Sequence, residues 1–296
     1  LDFMVSLDFY INETTQHADI ILPPTSALEH DHYDIAFHRL AVHNTARFNE
    51  PVFEPAAGTL HDWEIFNGLG QAIAARKGID IKPLPSPDKL IDMGIQRGPY
   101  SAAAGHELEL TLDKIKQHPH GLDIGKLAPS LPERLGTSDG KITLVADYIT
   151  KDIKRLGADK ALTEANELLL IGRRHIRSNN SWMHNSHRLV KGKPRWQLLM
   201  HPDDLAAHKL QDQGQVRITS RVGEVVTQVL ASDEVMPGVV SLPHGWGHKR
   251  AGVSMAIASE QEGVSCNDLT DDQLIDQVSG NAALNGVPVR IFAVQA

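Results

Sequence analysis

Apolar residues recur along this chain with two different periods, and the change from one to the other divides it. The earlier part is mostly helical in pattern. Two short apolar runs at 3–5 and 18–22 predict buried strands around a helical turn, with Pro23 and Pro24 ending the second. Residues 63–76 then carry apolar positions at three- and four-residue spacing, with Asp62 as N-cap and Gly78 just past the end. Residues 82–140 are rich in Pro, Gly and Ser and read as an excursion between domains, with short helices at 87–94 and 110–117. A strand at 141–146 is expected to lead into an amphipathic helix over 146–156, with Gly157 as its stop.

After Asn166 the period shortens. Strand patterns at 167–171, 196–201, 215–220, 224–230, 239–242 and 287–294 are separated by turn residues, and Val222-Gly223 joins two of them as a hairpin. Six short strands predict a small closed barrel, interrupted by helices at 202–209 and 270–277. No internal repeat is visible.

The 296 residues, 41% hydrophobic and 22% charged, are those of an ordinary globular protein with room for two domains. A net charge of -8 excludes a general nucleic-acid binder, because such affinity rests on many phosphates neutralised by Lys and Arg. The single cysteine, Cys266, excludes a disulfide framework and any four-cysteine zinc or iron–sulfur site supplied by this chain alone; it fits a reducing, cytoplasmic setting. No apolar run is long enough for a membrane span. The chain starts at once with the packed-looking Leu1, Phe3, Met4 and Val5, so a preceding part is expected.

Against the acidic whole, one stretch stands out. Between Leu168 and Pro202 there is no acidic residue, while Arg173, Arg174, Arg177, Arg188, Lys191, Lys193 and Arg195 are all present. A polar loop follows the strand at 167–171, containing Gly172, Arg173, Arg174, His175, Arg177, Ser178, Asn179, Asn180 and a buried-looking Trp182. Guanidinium forks match phosphate oxygens, and amides and hydroxyls read the edge of a heterocycle, so the loop suits a large polar ligand. A solvated basic loop accounts for the same composition. A second candidate is Pro243-His244-Gly245-Trp246-Gly247-His248, where Pro and Gly argue against a helical zinc pair and for close backbone approach to a ligand. A third is Asn267, beside Cys266, which reads most simply as a small buried hydrophobe. Glu29, His30, Asp31, His32, His38 and His43 are dense in metal-ligating types but irregularly spaced.

Several stretches in order resemble the molybdopterin oxidoreductase family, which includes formate dehydrogenases, nitrate reductases and dimethyl sulfoxide reductases. Glu13-Thr14-Thr15, then His17 to Pro23, then Glu29, resemble a segment late in that family's third domain, and His61 to Ile65 resembles the helix start that follows. From Leu168 on, the order of His201-Pro202-Asp203-Asp204, Gly214-Gln215-Val216, Ser220 to Gly223, Met236 to Val240 and Ser279-Gly280 is similar to the family's dinucleotide-binding domain. The family's glycine-rich stretch is replaced here by Tyr33 to Arg39.

The resemblance implies an α/β plus β-barrel chain: 1–80 as the end of an α/β oxidoreductase domain, 81–165 as a connecting region, and 166–296 as a six-stranded double-psi barrel. It implies molybdopterin guanine dinucleotide holding molybdenum or tungsten, with the loop from Gly172 to Trp182 as the first cofactor contact. His244, Trp246, His248, Asn267 and Asn285 are implied as further contacts, and no residue is implied as catalytic or as a metal ligand. The chain then reads as part of a two-electron or oxygen-transferring oxidoreductase and as inactive alone. Any iron–sulfur cluster belongs to the preceding part, and the implied partners are the remaining domains, a small-molecule substrate and an electron-transfer partner. The competing expectation is a non-catalytic double-psi barrel that binds another nucleotide or a protein.

Overall fold

A computed structural model describes residues 1–156 and 166–294. They fall into two compact units, Leu1–Phe9 with Ala18–Ile142, and Tyr10–His17 with Thr143–Ala296. The expected stop at Gly157 lies outside the described residues.

The first unit contains strands β1 (Val5–Leu7), β2 (Ile20–Leu22), β3 (His32–Tyr33), β4 (Thr45–Ala46) and β5 (Phe48–Asn49), helices α1 (Asp62–Lys77), α2 (Pro87–Gln96) and α3 (Leu112–Lys116), and strand β6 (Leu122–Asp123). β1 and β2 pair in parallel. The first strand starts later than expected, because the Met4 N–H is taken by the Asp19 carboxylate at 2.7 Å outside the ladder. α1 matches its pattern, but its cap is His61: the His61 N–H donates to Glu64 at 2.8 Å, so Asp62 becomes the first helical residue. Gly78, at φ +67°, closes the helix in the left-handed conformation. The core joins Ala46 and Phe48 to Leu110, Leu112 and Ile115, so part of the Pro- and Gly-rich stretch is packed. The strand expected at 141–146 does not form: Leu144 is 89% exposed, and the segment pairs with no strand among the described residues.

The second unit runs α4 (Asp147–Leu156), β7 (Leu168–Arg173), α5 (His187–Val190), β8 (Leu198–Met200), α6 (Pro202–Ala207), β9 (Gln215–Thr219), β10 (Glu224–Ala231), β11 (Val239–Pro243) and β12 (Val287–Ala293). All six expected strands are present and close into a barrel in the order β10, β8, β11, β7, β12, β9. β7 with β11 and β8 with β10 are parallel, and the other pairs are antiparallel. Period-two alternation turns Leu168, Leu170, Val216, Ile218, Val287, Val289 and Ile291 inward, where they meet Leu198, Met200, Val229, Val240 and Leu242. The β9–β10 hairpin turns at Gly223, where a Cβ would collide with the Asp268 carbonyl oxygen.

The helix expected at 270–277 is a series of turns instead. The Asp271 carboxylate accepts from Arg221 and from the Gln273 N–H, the Asp276 carboxylate accepts the Ser279 N–H at 2.7 Å, and Ile275 bridges to Ala282. Such local side-chain bonds offer the backbone an alternative to the helix. The Arg221 guanidinium holds the Asp271 carboxyl down to about 2, against 3.8 ordinarily. A depressed carboxylate contributes stability that is complete above its unfolded value and is lost as pH falls through its folded value. Asp271→Asn is therefore expected to lower the melting temperature at pH 7, and its deficit is expected to shrink as pH falls from about 4 to 2. Thermal unfolding across pH checks this, and a deficit constant in pH would contradict it.

Candidate functional site

The parallel pairing of β7 with β11, in register from Val239–Leu169 to Pro243–Arg173, brings both strands out of the barrel at the same end. The basic loop after β7 and the His–Gly–Trp–Gly–His loop after β11 therefore start side by side. They touch backbone to backbone. At Gly245, φ +87°, a Cβ would collide with the Asn180 carbonyl oxygen, and at Gly247, φ +98°, one would sit 2.5 Å from the Ser265 nitrogen. Across from Gly245, Asn179 and Asn180 take φ of 43° and 61°, left-handed values that asparagine tolerates better than most residues.

Between the two loops lies a cavity of about 440 Å³ with a polar lining of Arg174, His175, Ser178, Asn179, Asn180 and His244, completed by Ile176 and Met183. The Asn180 side-chain oxygen accepts from Arg174 at 2.8 Å and from the His244 Nε2 at 3.1 Å. Behind the cavity wall a chain of hydrogen-bonded groups runs from the buried Ser178, His184 and His248 to the partly exposed Glu13. Ser178 Oγ lies 2.9 Å from His184 Nε2, His184 Nδ1 lies 3.0 Å from His248 Nε2, and His248 Nδ1 lies 2.8 Å from Glu13 Oε1. Trp246 stacks on His184 with ring centroids 4.1 Å apart. Burial first, then the neighbouring His248, pushes His184 from 6.5 down to about 4.

Charge around the cavity is one-sided. Burial, followed by the cations of Arg195, Arg177 and Arg173, lowers the pKa of His175. Arg195 is lowered by burial and by Arg177. Arg173 is half-buried and donates to the Ser241 and Gln197 carbonyl oxygens, each at 2.9 Å, so its fork ties β7 to the neighbouring chain segments. Asn285 Oδ1 accepts the Gly172 N–H at 2.7 Å and anchors the start of the loop.

The structure thus brings together Arg174, His175, Ser178, Asn179, Asn180 and His244 around one cavity, with His248 and Trp246 directly behind it. Arg173, Gly172 and Asn285 sit at its base as framework. Asn267 is exposed on a short turn after Ser265. Trp182 is a correction: it is 80% exposed, and the buried indole is that of Trp246. Sequence reasoning passed over His184 and Glu13. His184 carried a signal, an imidazole six residues after Ser178 in a loop already rich in polar groups; nothing linked Glu13 to His248, since 235 residues separate them. The histidines near the N-terminus do not converge: His38 bonds Thr45, His43 pairs with Asp123, and no metal-ligating group of three or more occurs among the described residues. Cys266 is buried, and burial raises its thiol pKa, which makes it unreactive.

This packing is open to test at a glycine and at a histidine. Gly245→Ala should cost about 2–4 kcal/mol through backbone strain and collision, whereas Gly238→Ala should cost about 1 kcal/mol, since Gly238 has positive φ but nothing within 4 Å. Denaturant titration distinguishes them, and equal costs would contradict the close approach of the loops. Because folded His184 resists protonation until about pH 4 while the unfolded chain accepts a proton near 6.5, its contribution favours unfolding increasingly as pH falls between those values. His184→Gln should flatten the stability profile in that window; an unchanged slope would mean that His184 is charged in the fold.

Residues 168–288 match the family model described as the molydopterin dinucleotide binding domain. The probable oxidoreductase YoaE of Bacillus subtilis is 26% identical over 290 residues, covering 96% of this chain and 39% of the relative. Dimethyl sulfoxide/trimethylamine N-oxide reductase of Rhodobacter capsulatus is 24% identical over 279 residues, covering 83% and 32%. A tetrathionate reductase chain of Salmonella typhimurium is 32% identical over 121 residues, covering 35% and 12%. This chain therefore spans well under half the length of these relatives. The solved structure of acetylene hydratase from Pelobacter acetylenicus shares its fold, with a TM-score of 0.68 at 19% identity over 99% of this chain and 40% of that one. These matches do not favour the non-catalytic binding module.

Proposed function

We propose that this chain, a member of the molybdopterin oxidoreductase family through its dinucleotide-binding domain at residues 168–288, holds molybdopterin guanine dinucleotide in the cavity between the β7 and β11 loops. The observation that carries the reading is the concentration of positive charge at a cavity lined by amides, a hydroxyl and imidazoles. The donor set fits such a group. Arg174, Arg177 and Arg195 would offset phosphate charge, and planar guanidinium forks suit phosphate oxygens better than ammonium groups do. Ser178, Asn179, Asn180 and His244 would form directional bonds to heterocycle edges. The cavity, at about 440 Å³, lies in the range typical of small-molecule sites.

When bound, the cofactor with its molybdenum or tungsten supplies the two-electron redox or oxygen-atom-transfer chemistry. The chain's own residues bind and orient. Gly245 keeps the loops close enough to form one wall, Gly247 lets the β11 loop pack on Val264 and Ser265, Arg173 and Asn285 fix the root of the basic loop, and Trp246 holds the His184 ring in place. No residue here is assigned to proton transfer with substrate.

For the whole protein we propose an oxidoreductase in which further domains supply the metal ligand, any iron–sulfur cluster, and the surfaces for a small-molecule substrate and an electron-transfer partner. Within this chain we propose residues 1–80 as the end of an α/β oxidoreductase domain, 81–165 as the connection and 166–296 as the cofactor barrel. Among the described residues no helix is long and apolar enough to cross a membrane. One buried cysteine supports a reducing, cytoplasmic compartment.

The test is metal and nucleotide analysis of the full-length protein from a host that makes the cofactor, beside an Arg174→Ala, Asn180→Ala variant. Molybdenum or tungsten with releasable GMP is expected in the parent, and roughly tenfold weaker retention in the variant. No such metal and no GMP in the parent would overturn the reading.

A further inference from the structure

The Ser178–His184–His248–Glu13 chain has a direction that its atoms dictate. A carboxylate only accepts hydrogen bonds, so Glu13 takes the proton on His248 Nδ1 at 2.8 Å. In a neutral ring the other nitrogen, Nε2, is then an acceptor, and it faces His184 Nδ1 at 3.0 Å, which must carry the proton. His184 Nε2 is left as an acceptor 2.9 Å from Ser178 Oγ, so the hydroxyl donates inward. Every group in the chain has a partner, and His184 also has the Gly245 backbone beside it.

His184 and His248 are 1% and 4% exposed, and placing charge on two adjacent imidazoles out of water is unfavourable.

We infer that Glu13 is a positioning residue that acts through His248 and His184 to make the Ser178 hydroxyl present only acceptor lone pairs to the cavity. The cavity then selects a ligand with an N–H or O–H donor at that point and rejects an acceptor there. This rests on the proposed function only in taking the cavity as the ligand's seat. With Glu13 removed, His248 is free to carry its proton on Nε2 and donate to His184 Nδ1; His184 then donates from Nε2 to Ser178, whose own proton turns toward the cavity. One remote carboxylate thereby sets the polarity of a contact at the far end of two rings.

The direction is readable without any cofactor. Two-bond proton–nitrogen correlation spectra of the full chain labelled with ¹⁵N-histidine report which ring nitrogen is protonated, and His184→Gln and His248→Gln assign the two signals. Both rings should be Nδ1–H at neutral pH, and in Glu13→Ala both should shift to Nε2–H. Nε2–H rings or a doubly protonated His248 in the unsubstituted chain would overturn the inference with no variant needed, and so would Nδ1–H rings that persist in Glu13→Ala. Absence of GMP and metal from the full-length protein would instead count against the proposed function and leave the tautomers as measured.

Discussion

The site depends on a single topological constraint, the parallel ladder between β7 and β11. Had these strands run antiparallel, their following loops would leave opposite ends of the barrel. In parallel they leave together, and a basic polar loop and a glycine-spaced histidine loop are forced into contact 64 residues apart in sequence. The small barrel makes this rigid, because its interior is filled by side chains from all six strands, and sliding one strand would disturb each of its neighbours.

That closeness explains the rest of the chemistry. Backbone contact at Gly245 lets His248 reach His184, and the stacked Trp246 seals the pair from water. Sealing lowers the proton affinity of His184 and leaves the rings as relays of hydrogen-bond direction. In front of them the cations of Arg195, Arg177 and Arg173 repel one another, and a bound anion would relieve that repulsion.

Much of this was legible from residues alone, and for definite reasons. Alternating apolar positions marked β9 and β12, and short apolar runs bounded by turn residues marked the other barrel strands. The acid-free stretch from Leu168 to Pro202 marked the cavity loop, and the Pro and Gly around His244 and His248 rightly argued against a helical pair. What stayed hidden depended on tertiary partners. Asp271 bonds Arg221 across the unit and replaces an expected helix by turns, the apolar 141–146 finds no strand to join, and Trp182 faces solvent while Trp246 is covered. Glu13 enters from a segment whose only sequence cue was a family resemblance, and nothing local linked it to His248.

The central claim is that the β7 and β11 loops together seat the dinucleotide. The most direct measurement is an experimental structure of the cofactor-loaded full-length protein. Cofactor density against Ser178, Asn180, His244 and the neighbouring arginines is the result this account predicts. Cofactor density elsewhere, with only water between the two loops, would contradict it.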